Sequence, residues 1–158
     1  MRRIAIIGAG PGGLTLARIL QLKGVDVQVY ERDVTIDARS QGGSLDLHTE
    51  SGQYALQVAE LFDKFQALCR QEGEDTRIVD KNGVVLYDEV VGDEKFDRPE
   101  IDRGDLRQIL TDSLKPNTIV QDRHLETIES LENGQYKLQF RNGITEIADL
   151  VIGADGTW

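Results

Sequence analysis

Three glycines near the amino terminus have the spacing of a turn that binds phosphate. Gly8, Gly10 and Gly13 follow the short apolar run Ile4–Ile7 and open a segment, residues 14–23, with apolar residues at helical spacing. In such a strand, turn and helix, the first glycine permits the bend, the second lets the backbone approach a pyrophosphate, and the third lets the helix pack closely on the strand. The free N–H groups and the positive dipole end of the helix then face the phosphates. The spacing predicts a dinucleotide-binding turn.

Glu31 follows a second predicted strand, residues 27–30, about 20 residues after the last glycine, where a carboxylate can accept hydrogen bonds from a ribose hydroxyl. A carboxylate there would repel a 2′-phosphate, so the predicted ligand is FAD or NAD rather than NADP. Arg32 could accommodate such a phosphate, or it could be a solvated surface charge. Adjacent side chains of an extended chain point to opposite faces, so Glu31 carries more weight.

The composition narrows the class of protein. The chain has 158 residues and a formal net charge of −10, which argues against nucleic acid or an anionic membrane as a partner. Its single cysteine, Cys69, excludes an intramolecular disulfide, and two histidines, His48 and His124, make no metal-ligand cluster at a recognisable spacing. We therefore expect one soluble, cytoplasmic domain without a metal site or a transmembrane segment.

The rest of the pattern predicts an α/β fold: a Rossmann-like sheet with parallel central strands, crossover helices and a small antiparallel β layer. Asn82-Gly83 and Asn142-Gly143 each lie between apolar runs and predict β-hairpins, while residues 45–47, 118–121 and 150–152 predict strands. Residues 51–70 predict one amphipathic helix. Its expected buried stripe is Tyr54, Ala55, Val58, Leu61, Phe62, Phe65 and Leu68.

Two further segments leave alternatives open. Gly42-Gly43 indicates either a backbone that comes close to a ligand or a flexible turn. Residues 101–107 predict the start of a helix with Asp102 as its N-cap and a buried stripe of apolar residues behind it. Arg103 opposes the helix dipole there, so it is either offset by a bound phosphate or solvated. The acidic residues at 88, 89, 93 and 94 predict a solvated loop rather than catalytic carboxylates.

Four segments together resemble a known family. They are Gly8-Ala9-Gly10-Pro11-Gly12-Gly13, then Tyr30-Glu31-Arg32, then Ile101-Asp102-Arg103-Gly104-Asp105-Leu106-Arg107, then Gly153-Ala154-Asp155-Gly156. This order resembles the N-terminal part of the group A FAD-dependent aromatic monooxygenases, the family of p-hydroxybenzoate hydroxylase. Residues 38–48 and 99–103 most closely resemble the tetracycline-inactivating monooxygenases.

The resemblance implies a set of cofactor contacts. Arg39, Asp46 and Arg103 match positions that contact FAD in the tetracycline-inactivating members, and Arg39 also matches a position near the nicotinamide cofactor. The implied FAD contacts are Gly8, Gly10 and Gly13 for the pyrophosphate, Glu31 for the adenosine ribose, Arg32 near the adenine, and Arg39, Asp46, Arg103 and the Asp155-Gly156 motif.

The resemblance also implies an activity. In the family, NAD(P)H reduces the flavin, O₂ forms a C4a-hydroperoxide, and one oxygen atom passes to an aromatic or polyketide-like, tetracycline-type substrate; tetracycline inactivation would give antibiotic resistance. The alternatives are another FAD-dependent oxidoreductase or halogenase, or a non-catalytic dinucleotide-binding fragment. We nominate no catalytic acid or base. A second FAD motif of the family is expected beyond residue 158, so the chain is expected to be a fragment without turnover.

Overall fold

The computed structural model describes residues 2–35, 42–70, 75–90 and 97–156. The strands are β1 Ile4–Ile7, β2 Val27–Tyr30, β3 Ser44–Asp46, β4 Thr76–Val79, β5 Val85–Glu89, β6 Glu100–Asp102, β7 Ile119–Val120, β8 Leu125–Ser130, β9 Tyr136–Phe140, β10 Thr145–Ala148 and β11 Leu150–Gly153. The helices are α1 Pro11–Leu22, α2 Tyr54–Val58, α3 Phe62–Gln66 and α4 Arg103–Asp112, with a π-helical turn at Thr49–Gln53.

The chain divides into two compact units, which we describe separately. The first contains Met1–Gln41 and Arg107–Trp158, and the second contains Gly42–Leu106. None of the helices in the described ranges is both long and apolar enough to cross a membrane.

The first unit is built on a parallel sheet of four strands in the order β11-β1-β2-β7. Helix α1 connects β1 to β2 and contacts both strands. It ends at Leu22 with Lys23 as its C-cap, and Gly24 follows with a φ of 73°. Because neighbouring side chains of a strand alternate, Ile6 and Val29, both 0% exposed, lie on one face of the sheet and Ala5 and Ile7 on the other. This arrangement confirms the predicted α/β fold with parallel central strands.

An antiparallel sheet of three strands, β10-β9-β8, belongs to the same unit. Its β9–β10 hairpin turns at Asn142-Gly143, as predicted, with Gly143 at a φ of 81°. Side chains from both sheets of this unit form one apolar cluster. Its buried members are Ala5, Ile7, Tyr30, Leu138, Phe140 and Ala148.

The second unit contains two antiparallel pairs of strands. Strands β3 and β6 pair with Ser44 opposite Asp102, and β4 and β5 form the hairpin predicted from Asn82-Gly83. The apolar side chains of that hairpin are exposed, and those of Leu86 and Val84 are exposed by 68% and 57%. Its β5 strand includes Asp88 and Glu89, which corrects the predicted loop at these two residues. Residues 93 and 94 lie outside the described residues.

The single helix predicted over residues 51–70 is wrong. The segment forms the π-helical turn followed by α2 and α3, and the chain breaks between them at Glu60, which has a φ of 58°. Of the predicted stripe, Leu61 and Phe65 are buried, whereas Tyr54 and Leu68 are 61% and 42% exposed. Tertiary burial therefore overrides a continuous helical period here.

Helix α4 begins directly after Asp102, the residue predicted as its N-cap. Residues 101 and 102 belong to β6, and the first helical residue is Arg103. Asp102 precedes the helix as predicted, and its carboxylate accepts a hydrogen bond from Arg70 Nη2 at 2.8 Å. The predicted stripe is buried, with Leu106 and Leu110 exposed by 3% and 0%.

Candidate dinucleotide-binding site

Backbone hydrogen bonds fix the turn between β1 and α1 at both of its ends. Gly8 has a φ of 106°, in the left-handed region that favours glycine, and its N–H donates to Tyr30 O at 2.8 Å. Gly10 is the N-cap residue of α1 and its carbonyl accepts from Leu14 N at 3.0 Å. Proline stands at the first position of the helix, where no N–H is needed. The turn therefore presents the start of α1 at the carboxyl end of β1.

The three glycines differ in the space around them. A Cβ on Gly8 would lie 2.6 Å from Ala154 O, and a Cβ on Gly13 would overlap Gly8 O. At Gly10 the nearest atom, Ala154 O, is 3.9 Å away, and at Gly12 nothing lies within 4 Å. Thus Gly8 and Gly13 are on the closed side of the turn, and Gly10 and Gly12 are on its open side, where a ligand can approach the backbone.

Glu31 lies directly after β2 and is 5% exposed. Its Oε2 accepts from Ala9 N at 2.7 Å, and its Oε1 accepts from Asp33 N at 3.0 Å. A carboxylate oxygen has more than one lone pair, so these bonds leave acceptor capacity for a ribose hydroxyl. The predicted ribose carboxylate is thus adjacent to the glycine turn and bonded to it.

The local charge favours an anion at the start of α1. The first turn of this helix contains no acidic residue, so no side chain of that turn neutralises its positive dipole end. The first four backbone positions of a helix have no hydrogen-bond partner within the helix, and Pro11 occupies one of them here, so the remaining N–H groups are available to phosphate oxygens. The arrangement fits a pyrophosphate.

The sheet order places the turn where ligands bind in open α/β sheets. Strand β11 lies on the opposite side of β1 from β2 and β7, so the order of the strands reverses between β1 and β11. Ligands occupy the crevice at the carboxyl ends of the strands at such a point. The turn after β11, residues 153–156, ends at the same edge of the sheet, since β1 and β11 are parallel.

The structure also places the remaining predicted contacts of the first unit. Asp155 is exposed in the turn after β11, and Gly156 follows it with a φ of 90°. Arg32 is partly exposed and its Nε lies 4.0 Å from Asp33 Oδ1. Arg39 lies outside the described residues.

Asp46 and Arg103 belong to the second unit. Asp46 is the exposed last residue of β3, and its Oδ2 lies 3.9 Å from His48 Nε2. Arg103 is exposed at the start of α4, and its backbone N–H donates to Gly43 O at 3.2 Å. No ion pair joins Arg103 to another residue in the described part of the chain. Gly42 and Gly43 have φ values of 45° and 72°, which explains glycine at both positions.

Tyr30 links the site to the apolar cluster. Its ring centroid lies 5.0 Å from that of Phe140, and burial, with the nearby Glu146 carboxylate, raises the pKa of its hydroxyl to about 12. The phenol is therefore neutral at physiological pH. No group of three or more metal-ligating side chains occurs in the residues that the structure describes.

Two contacts of the site escaped the sequence prediction: the bond from Ala9 to Glu31, and the packing of Ala154 on the glycine turn. A signal for the second exists. Ile-Gly-Ala at residues 7–9 recurs at residues 152–154, each time at the end of an apolar run. The repeat indicates two similar turns at one edge of the sheet.

Fold and site together define a Rossmann-type dinucleotide-binding protein. The sequence matches the family described as FAD binding domain over residues 1–158, so the chain belongs to that family.

Relatives and solved structures show what the chain is similar to. It is 36% identical to the monooxygenase asqM of Emericella nidulans, covering 99% of this chain and 38% of the relative. It is 34% identical to the 3-amino-4-hydroxybenzoate 2-monooxygenase of Streptomyces cremeus, covering 98% and 39%. The crystal structure of the tetracycline destructase Tet(51) superposes with a TM-score of 0.73 at 31% identity, covering 99% and 39%. These similarities confirm the predicted resemblance to FAD-dependent monooxygenases.

The chain spans about two fifths of the length of these relatives. The relatives are oxidoreductases by name, and the flavoprotein class of this chain follows from its family.

Proposed function

We propose that this chain forms the FAD-binding part of an NAD(P)H-consuming monooxygenase that hydroxylates an aromatic or polyketide-like substrate. The observation that carries the proposal is the bond between Glu31 and Ala9, because it brings the ribose carboxylate and the open glycine turn into one site. A dinucleotide needs both of these groups at that spacing.

The residues of the candidate site can be assigned to separate parts of FAD. The open side of the turn, at Gly10 and Gly12, would face the pyrophosphate, and Glu31 would accept a hydrogen bond from the adenosine ribose. By resemblance to the family, Arg32 would lie near the adenine, and the Asp155-Gly156 motif would take part in FAD and NAD(P)H handling. Arg39, together with Asp46 and Arg103 of the second unit, is a further candidate FAD contact by resemblance to the tetracycline-inactivating enzymes.

FAD, when bound, supplies the electron transfer and the oxygen chemistry, with NAD(P)H as the reductant. The residues of this chain bind and orient the cofactor and keep the glycine turn in a fixed geometry. Among them we assign no proton transfer to a side chain.

The substrate class rests on the names of relatives. The Streptomyces cremeus enzyme is named for an aminohydroxybenzoate and Tet(51) for tetracycline, and both point to a hydroxylated ring system. A tetracycline-type substrate would connect the whole protein to antibiotic resistance. The net charge of −10 and the single cysteine favour a small-molecule enzyme of the cytoplasm over a partner of nucleic acid or membrane.

The proposal is tested by incubating the purified chain with FAD, removing free cofactor and recording the visible absorption spectrum. We expect retained flavin at one equivalent, which acid treatment releases as intact FAD. Parallel titrations with NAD and NADP separate the ligand classes, and NADP should bind worst because Glu31 repels a 2′-phosphate. A folded chain that retains no FAD contradicts the proposal.

The oxygen chemistry is tested in a full-length protein that carries this chain. NAD(P)H-dependent O₂ consumption with a hydroxylated aromatic or tetracycline-type product is the expected result. A halogenated or dehydrogenated product without oxygen insertion would instead support the alternative flavin chemistry.

A further inference from the structure

The turn after β11 packs directly on the glycine turn. We call residues 153–156 the DG turn. Ala154 N donates to Ile7 O at 2.8 Å, so the DG turn is bonded to the last residue of β1. The carbonyl oxygen of Ala154 lies 2.6 Å from the position of a Cβ on Gly8. The methyl carbon of Ala154 lies 3.3 Å from the position of a Cβ on Gly13. Ala154 therefore contacts the glycine turn where it leaves β1 and where α1 begins.

The contact is one-sided. A Cβ on Gly12 would meet nothing within 4 Å, and a Cβ on Gly10 would meet Ala154 O only at ordinary contact distance, 3.9 Å. The position of the start of α1 relative to β1 is thus set from the closed side of the glycine turn, where Ala154 of the DG turn contacts it. An alanine fits at this position because its methyl group contacts Gly13 without displacing it.

We propose that Ala154 is a positioning residue for the pyrophosphate site, an inference that rests on the proposed FAD function. Its small side chain sets how closely the start of α1 approaches the carboxyl end of β1. The N–H groups that meet the phosphates belong to that helix start. Binding sites of this kind depend on a geometry held within about 0.5 Å by the residues behind them.

A larger side chain at this position should act on the cofactor more than on the fold. Ala154→Val adds two methyl groups to a side chain whose Cβ already lies 3.3 Å from the position of a Cβ on Gly13, so we expect α1 or the DG turn to move. We expect FAD affinity to fall about tenfold or more. Ala154→Gly adds no atom and should retain most of the affinity, whereas Ala154→Ser adds one atom and should lose less affinity than Ala154→Val.

The experiment compares these variants with Ala148→Val. This variant adds the same two methyl groups to a buried alanine of β10 in the first unit. FAD affinity comes from flavin fluorescence titration, and stability from thermal unfolding of the apo chain. A third readout needs no cofactor: hydrogen exchange of the Gly8 and Leu14 amides, which bond Tyr30 O and Gly10 O across the turn.

For Ala154→Val we expect lower FAD affinity and faster exchange of the Gly8 and Leu14 amides, and for Ala148→Val we expect neither. If Ala154→Val does not fold, Ala154→Ser should show the same ordering with smaller changes. Wild-type protection of both amides in the valine variant, or equal loss of FAD affinity in both valine variants, overturns the inference. Failure of the proposed function has a different signature, because the wild-type chain would then bind no FAD while the amide exchange still reports on Ala154.

Discussion

The buried carboxylate of Glu31 accepts the backbone N–H of Ala9 at 2.7 Å, joining residues that are far apart in the sequence. Its second oxygen accepts Asp33 N at 3.0 Å, so both carboxylate oxygens hold the backbone. Glu31 therefore has two duties: it fixes the glycine turn before any ligand arrives, and it offers its remaining lone pairs to a ribose.

Glu31→Gln should weaken both the hydrogen bonds that fix the glycine turn and the binding of the ribose. The amide has one acceptor oxygen, so its NH₂ group must face either the Ala9 or the Asp33 N–H, and a buried donor loses its partner. We expect the apo chain to lose about 1–3 kcal/mol in free energy of unfolding and FAD binding to weaken by about 1–3 kcal/mol. Chemical denaturation and flavin fluorescence titration measure the two effects.

The matched control is Glu129→Gln. Glu129 lies on β8 with its side chain 64% exposed, 3.5 Å from Lys137 Nζ. Exposed pairs of this kind contribute little, so both quantities should stay within about 0.5 kcal/mol of the wild type. Unchanged FAD affinity in Glu31→Gln would refute the ribose role, and unchanged stability would refute the role in the turn.

The glycines of the turn should separate folding from binding. Gly8→Ala combines a φ of 106° with a Cβ 2.6 Å from Ala154 O, and should lower the free energy of unfolding by more than about 2 kcal/mol. Gly10 has a φ of −76° and ψ of 173°, which any residue adopts, and its nearest neighbour is 3.9 Å away. Gly10→Ala should cost about 1 kcal/mol or less in stability.

In the same pair of variants, FAD binding gives the second readout. The new methyl group of Gly10→Ala stands on the open side, where the pyrophosphate would approach, so affinity should fall about tenfold or more. Thermal unfolding and FAD titration of the two variants check the contrast. Equal stability loss in both variants, or full affinity in Gly10→Ala, would show that the open and closed sides are wrongly assigned.

Local patterns predicted much of this fold. The glycine turn and its flanking strand and helix lie within one short segment, and Asn82-Gly83 and Asn142-Gly143 specify hairpins by their own backbone preferences. The break at Glu60 has no such signal. The apolar period is the same for one long helix or two short ones, and no glycine or proline marks the break. After the break the N–H of Leu61 bonds Leu56 O at 2.9 Å, a contact that the apolar pattern does not specify.

The site was less predictable than the fold because its contacts are long-range. That Ala154 meets Gly8 depends on the parallel pairing of β1 with β11, at opposite ends of the chain. The repeated Ile-Gly-Ala at residues 7–9 and 152–154 indicates similar turns, but it does not specify that the two strands pair. The spacing predicted Glu31 as a ribose ligand, but its hold on Ala9 follows only from the register of β1 and β2, in which Ile7 lies opposite Tyr30.

Arg103 should affect binding and stability in opposite directions. It is an exposed cation at the first residue of α4, where it opposes the helix dipole. If it contacts an FAD phosphate, Arg103→Ala should weaken FAD binding by about 1.5–3 kcal/mol, the usual value for a charged hydrogen bond. Without ligand, the same change should leave the chain equally stable or more stable by about 0.3–1 kcal/mol.

Arg77→Ala is the control for the loss of one surface charge. Arg77 is exposed on the β4–β5 hairpin and pairs with Asp88 at 2.8 Å. Its removal should leave FAD affinity unchanged. Equal affinities for Arg103→Ala and the wild type, measured by the same titration, would place Arg103 among solvated surface charges.

Tyr30 should make the chain less stable in alkali. Burial, and secondarily the charge of Glu146, raises its pKa to about 12, whereas an unfolded tyrosine titrates near 10. Between about pH 10 and 12 the folded chain therefore holds a proton that the unfolded chain has released, so the free energy of unfolding falls as pH rises through this window. Tyr30→Phe removes the proton and should flatten that part of the curve.

Denaturant unfolding at a series of pH values measures the effect, and Tyr54→Phe is the matched control. Tyr54 is 61% exposed and lies in α2, so Tyr54→Phe removes one phenol hydroxyl and keeps the buried one of Tyr30. Tyr87, whose pKa is raised by its hydrogen bond to Glu89, adds the same contribution to every variant. We therefore expect the curve of Tyr30→Phe to diverge from those of the wild type and Tyr54→Phe. A Tyr30→Phe curve parallel to the wild type above pH 10 would show that the Tyr30 hydroxyl titrates alike in the folded and unfolded chains.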